Sequence, residues 1–195
     1  RTAERSFSFA RKPGADTRLS PAEVPEQAIR DCRVLHVGSL SLTDEPARAA
    51  TLHAVSIARQ AGALISYDPN YRASLWPSES EAIEQMTTLL HQADLVKINE
   101  DEALLLCGTS NPEAAAQCIL DQGATLVAVT LGSQGALVAT QTERVLVPTR
   151  PCQARDTTGA GDSFWGALLF QLVHEQRMRT ASDLAALSRE TLLCA

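Results

Sequence analysis

Asp156-Thr157-Thr158-Gly159-Ala160-Gly161-Asp162-Ser163-Phe164 lies where a loop running from Pro148 to Pro151 and beyond turns into a strongly apolar segment. That segment, about Asp162 to Val173, reads as a helix. Small residues at such a junction let the backbone approach a ligand, and the first N–H groups of a helix have no partner inside it. With the positive end of the helix dipole they form a site for an anion. A carboxylate at Asp162 is placed to take a proton from a hydroxyl. The amides of Gly159, Ala160 and Gly161 would steady charge developing on a phosphoryl group. The plainer alternative is a tight turn with Asp162 complementing the dipole. Two other readings are closed. The chain has no Gly-x-x-x-x-Gly-Lys-Ser/Thr run, and Trp165 stands where a Gly-x-Ser-x-Gly elbow needs its last glycine.

Upstream of this run, short apolar strands alternate with helices. Val34 to Val37 reads as a strand, and a helix runs from about Pro46 to Gln60, stopped by Gly62. Leu64 to Tyr67 is the next strand and Glu79 to about Gln92 the next helix. Leu95 to Ile98 precedes a short helix ending near Leu106, and Pro112 to Gln122 is helical before Gly123 and the strand Leu126 to Thr130. Such alternation predicts a mostly parallel sheet with helices on both faces. Ala136 to Ala139 and Arg144 to Val147 flank a polar turn and predict an antiparallel hairpin at one side of it. Ser182 to Ala195 reads as a last helix with Ser182 as N-cap.

Composition narrows the class. The 195 residues are 45% apolar and 21% charged, which suits one sizeable globular core. No apolar run approaches the ~18 residues of a membrane-spanning helix. The net charge of −6 and the scattered basic residues argue against a nucleic-acid groove. Five cysteines without a Cys-x-x-Cys pair suggest free thiols and a reducing, cytoplasmic setting. His36, His53, His91 and His174 are too far apart in sequence for a local metal cage and read as packed or surface imidazoles.

The run Asp156 to Phe164, followed by Gly166-Ala167-Leu168, resembles the C-terminal signature of the PfkB, or ribokinase-like, carbohydrate kinases. The resemblance implies a three-layer αβα sandwich with a mostly parallel sheet and a small β lid. It also implies transfer of the γ-phosphoryl group of ATP to a sugar hydroxyl with Mg²⁺, with Asp162 as the base and the Gly159-Ala160-Gly161 amides as the anion hole. Asp156 and Thr158 are implicated in holding a monovalent cation such as K⁺.

Other segments fit the same resemblance. Asn99-Glu100-Asp101-Glu102 has the Asn-x-x-Glu spacing of the family's magnesium and phosphate motif, with Mg²⁺ reached through water. The same two residues, Asn99 and Glu102, would also make a capping box. Thr130-Leu131-Gly132-Ser133-Gln134-Gly135 is similar to the family's segment beside the nucleotide, which implicates Thr130, Gly132 and Gly135; an ordinary turn is the alternative. Lys97 is a further candidate for the nucleotide side, against a solvated strand end. Asp68-Pro69-Asn70-Tyr71-Arg72-Ala73-Ser74-Leu75-Trp76 resembles the Asp-Pro-Asn-x-Arg loop of bacterial fructokinases and 2-keto-3-deoxygluconate kinases. It implies Asn70 and Arg72 as phosphate or sugar contacts; the plainer alternative is that they hold the loop itself.

The first twenty residues are read as a partial lid and residues 21–195 as a partial kinase domain. Ser6-Phe7-Ser8-Phe9 alternates like a strand exposed on one side, with Phe9 and Arg11 as lid contacts to the sugar. Its resemblance to the fructokinase lid favours fructose as the acceptor over 2-keto-3-deoxygluconate or a nucleoside, and implies a homodimer paired through lid strands. Position 1 is Arg, so further sequence is expected on the N-terminal side, and because a lone strand is not stable its neighbours are expected in sequence outside these residues or in another chain. Family members run to about 300 residues, so most of the sugar and adenine pockets are expected outside these residues, and the chain alone is expected to be inactive. A non-catalytic binding protein or structural fragment with the same fold is the competing class.

Overall fold

The computed structural model describes residues 11, 13–150, 153, 155–175 and 178–194. Phe9, and the lid strand expected around it, lie outside the described residues. Among the described residues, six strands form one sheet in the order in which they occur along the chain: β1 (Val34–Gly38), β2 (Leu64–Asp68), β3 (Leu95–Asn99), β4 (Leu126–Thr130), β5 (Ala136–Ala139) and β6 (Arg144–Val147). β1 to β4 are parallel and the β5–β6 hairpin joins antiparallel at the β4 side.

The helices are α1 (Glu26–Arg30), α2 (Ala47–Ala61), α3 (Glu79–Leu90), α4 (Glu100–Cys107), α5 (Pro112–Asp121), α6 (Ala160–Phe170), α7 (Ala181–Ala185) and α8 (Arg189–Cys194). Parallel strands laid down in sequence order, joined by right-handed crossovers, put every connecting helix on one face. The two cores show this. Ile65, Tyr67, Val96, Ile98, Val127 and Val129 pack with residues of α2, α3 and α5. The alternate positions Leu64, Leu95, Leu126 and Ala128 pack instead with Trp165, Leu168, Leu184 and Leu192. The chain therefore has to return after the hairpin to close the second face, and α6 to α8 do so. The result is a three-layer αβα sandwich. It explains why α6 is so apolar and why it starts beside the carboxyl ends of the parallel strands, where open α/β sheets hold their ligands. Among the described residues no helix is long and apolar enough to cross a membrane.

Three boundaries differ from the sequence expectation. α6 starts at Ala160, which makes Asp162 its third residue, because Gly159 takes the left-handed conformation (φ +73°) as N-cap. α6 also gives way at Gln171 to one wide turn, Gln171–Glu175. The predicted last helix is two short ones, and its first cap is Thr180 rather than Ser182. Thr180 and Asp183 form a reciprocal capping box, while Ser188 Oγ accepts from Thr191 N–H and starts α8 anew. The stretch 21–30 holds a 3-10 turn and α1 that the residue pattern did not reveal.

Candidate active site

The Gly159–Asp162 turn delivers a carboxylate and amide donors to one place. The Ala160 N–H turns back to the Thr157 carbonyl at 3.2 Å. That removes one of the three amides expected in the anion hole. The N–H groups of Gly159, Gly161 and Asp162 have no acceptor among the described residues. The Asp162 side chain is exposed and lines a cleft of about 240 Å³ with His36, Gly38, Leu40, Asp68 and Asn70.

Beneath that turn lies a buried ion pair. Ser66 and Tyr67 register with Leu95 and Val96, so one further step brings Asp68 beside Lys97. Lys97 Nζ donates to Asp68 Oδ2 at 2.6 Å, with side-chain exposures of only 7% and 5%. Lys97 is thus not a solvated strand end. A Cβ on Gly161 would stand 3.2 Å from both Lys97 Cε and Nζ, so α6 sits directly on the ion pair and has room there only for glycine without a shift.

The Asp68–Trp76 loop divides its candidates between two clefts. Asn70 adopts φ +49° and lines the Asp162 cleft. Arg72 donates to the Tyr71 carbonyl at 2.9 Å and lines a neighbouring cleft of about 510 Å³ with Tyr71, Asn99, Asp101 and Glu102. Glu102 ties the two together. It is 1% exposed; Oε2 accepts from Asn99 N–H at 2.9 Å and Oε1 from Tyr71 N–H at 2.8 Å. Asn99 Oδ1 completes the capping box by accepting from Glu102 N–H at 2.9 Å. Burial, then the Asp68 charge, pushes the Glu102 pKa up, against the two N–H bonds and Lys97.

These contacts bear on magnesium. Both Glu102 oxygens are occupied by backbone donors, so the group suits a water-mediated rather than a direct contact to Mg²⁺. Among the described residues no group of three or more His, Cys, Asp or Glu is arranged to hold a metal ion. Asp156 Oδ1 accepts from both Thr158 N–H (2.8 Å) and Thr158 Oγ1 (2.7 Å), which shapes the approach to Gly159.

The remaining candidates sit around this centre. Thr130 closes β4 beside Asn99 of β3, and Gly132 and Gly135 follow it with φ of +54° and +112°. A Cβ on Gly135 would collide with the Val147 carbonyl oxygen, so this turn requires glycine. Arg11 is held by the Leu40 carbonyl at 3.3 Å, by Thr43 Oγ1 at 3.0 Å and by Asp16. Its guanidinium therefore braces the Leu40 edge of the Asp162 cleft. Sequence reasoning passed over His36, Ser66 and Trp165, which join into one hydrogen-bonded row under the cleft. The available signal was their position at the midpoints of adjacent strands and one helical turn beyond Asp162.

A family model described as pfkB family carbohydrate kinase matches residues 1–193. Fructokinase-1 of Oryza sativa subsp. japonica is 44% identical over 173 residues, which are 88% of this chain and 54% of that protein. The fructokinase of Vibrio cholerae O395, solved with fructose, ADP and calcium ion, superposes with a TM-score of 0.80 at 34% identity, covering 97% of this chain and 58% of that one. The fructokinase of Xylella fastidiosa with bound ATP gives 0.86 at 30% identity, covering 99% and 61%. The chain thus spans about half the length of the curated relatives it matches.

Proposed function

The chain belongs to the pfkB family of carbohydrate kinases, and we propose that the protein carrying it transfers the γ-phosphoryl group of ATP to a hydroxyl of a ketose, with fructose as the acceptor. The observation that carries this reading is the placement of Asp162. On the first turn of α6, its carboxylate faces the same cleft as Asp68 and Asn70, next to amides that have no acceptor among the described residues. Asp162 takes the proton of the attacking hydroxyl, and the Gly159 and Gly161 N–H groups hold oxygens of the phosphoryl group in flight.

Positioning supplies much of the rate in phosphoryl transfer, and several residues act only there. The Lys97–Asp68 pair sets the floor under Gly161. Glu102 fixes the loop that presents Asn70 and Arg72. Thr130, Gly132 and Gly135 form the strand-end surface assigned to the nucleotide. A Mg²⁺ ion bound with the nucleotide would neutralise charge on its phosphates, with Asn99 and Glu102 reaching it through water. Asp156 and Thr158 are the assignment for a monovalent cation such as K⁺. Phe9 and Arg11 remain the assignment for a lid over the sugar and for pairing between two copies of the protein.

Because this chain spans only part of its relatives, the activity is assigned to the whole protein and the chain alone is expected to be inactive. An ADP-release assay on the polypeptide of the complete gene tests the assignment. With ATP and Mg²⁺, fructose should give a higher kcat/KM than 2-keto-3-deoxygluconate. The reverse order would make the protein a kinase of that acid sugar, and binding of fructose without turnover would make it a non-catalytic relative.

A further inference from the structure

His36 and Ser66 are register partners on β1 and β2, and Trp165 reaches them from α6, one turn beyond Asp162. Trp165 Nε1 lies 2.8 Å from Ser66 Oγ, and Ser66 Oγ lies 2.9 Å from His36 Nδ1. An indole nitrogen only donates, so Ser66 Oγ accepts from Trp165. The Ser66 hydroxyl hydrogen then needs an acceptor of its own. Ser66 is fully buried, 0% exposed, and the acceptor in reach among the described residues is His36 Nδ1. Were Nδ1 to carry hydrogen as well, the serine hydrogen would be stranded away from water, which is unfavourable. The row therefore runs Trp165 to Ser66 to His36 and leaves the imidazole neutral with its hydrogen on Nε2.

The surroundings favour that neutral form. Desolvation comes first and lowers the His36 pKa; Asp68 and Asp162 raise it, and Lys97 lowers it. No protein group among the described residues is bonded to Nε2, and His36 lines the cleft that Asp162, Asp68 and Asn70 share. Two carboxylates beside a neutral N–H donor suit a polyol, whose hydroxyls both give and accept hydrogen bonds, better than they suit an anion.

Resting on the sugar-kinase reading above, we infer that His36 is a sugar-binding residue whose Nε2–H donates to an oxygen of the acceptor sugar, and that Ser66 and Trp165 are positioning residues that lock its tautomer. α6 then serves the cleft twice: Asp162 from its first turn meets the reacting hydroxyl, and Trp165 from its second sets the hydrogen-bonding sense of the group beside it.

The test uses the complete kinase, with folding checked by circular dichroism. His36→Ala should raise the KM for fructose, and its Kd by calorimetry, by about tenfold or more, the worth of one hydrogen bond. The KM for ATP should stay unchanged and kcat should move much less. His36→Gln, whose amide N–H reaches about as far as Nε2, should recover most of the loss. Trp165→Phe and Ser66→Ala should shift the fructose KM the same way by smaller factors. The ring ¹⁵N signals of His36 should report the Nε2–H tautomer in the wild type and a mixture in Ser66→Ala. Fructose KM and Kd within twofold of wild type in His36→Ala, an Nδ1–H tautomer, or no fructose binding by the wild type would each overturn the inference. The tautomer needs no turnover, so its failure is separable from failure of the kinase reading, which shows as fructose binding without ADP release.

Discussion

Lys97 Nζ lies 2.6 Å from Asp68 Oδ2 in a pair nearly closed to water, with Gly161 of the Gly159–Asp162 turn resting on the lysine. Charges desolvated to this degree depend on each other: removing one partner leaves the other uncompensated. Lys97→Met should cost about 3–5 kcal/mol in urea unfolding. Lys97→Met combined with Asp68→Asn should cost clearly less than the sum of the two single changes. Additive losses would mean that the pair is not coupled and that the floor of the site is held by packing alone.

Gly135 is the position where a side chain is least tolerated. Its φ of +112° and the collision of any Cβ with the Val147 carbonyl act together. Gly135→Ala should lose at least about 1–3 kcal/mol from strain and lower Tm by roughly 4 °C or more. Gly62 is the control: it too has positive φ, +80°, but nothing lies within 4 Å of its Cβ position. Gly62→Ala should therefore cost less than Gly135→Ala in the same thermal scan, and equal losses would contradict the collision.

Glu102 carries a pH signature whose sign follows from its environment. Burial and Asp68 raise its folded-state pKa above the ordinary 4.5. The native state then binds the proton more tightly than the unfolded chain, so this group's contribution to stability is fully present below about 4.5 and is lost as pH rises through the raised value. Glu102→Gln cannot titrate. The stability of wild type minus that of Glu102→Gln should fall as pH rises above 4.5. A difference that grows with pH would show instead that the N–H bonds from Asn99 and Tyr71 outweigh burial.

Much of the fold could be read from residue order because the signals are local. Each parallel strand was expected within one residue of its observed end, since a run such as Leu126 to Val129 is buried on both faces and stays apolar throughout. Gly62 and Gly123 marked the ends of helices because both need positive φ. What escaped depended on chain segments far apart. The Lys97–Asp68 pair spans 29 positions and the Trp165–Ser66 bond 99. No spacing rule reports such contacts. The capping reading and the ligand reading of Asn99 and Glu102 were both open in sequence. The structure adds a third role, the grip of Glu102 on Tyr71, which only the approach of two loops creates. At the C-terminal side, Thr180 displaced Ser182 as cap because Asp183 stands three residues after Thr180, and the capping box requires that interval.

The proposed phosphoryl transfer turns on Asp162 as the base. Steady-state kinetics of Asp162→Asn in the complete enzyme, with fructose and ATP, test it most directly. Loss of the base should lower kcat by about 10²–10⁴, with the dissociation constant for ATP unchanged. A kcat near that of the wild type would contradict it.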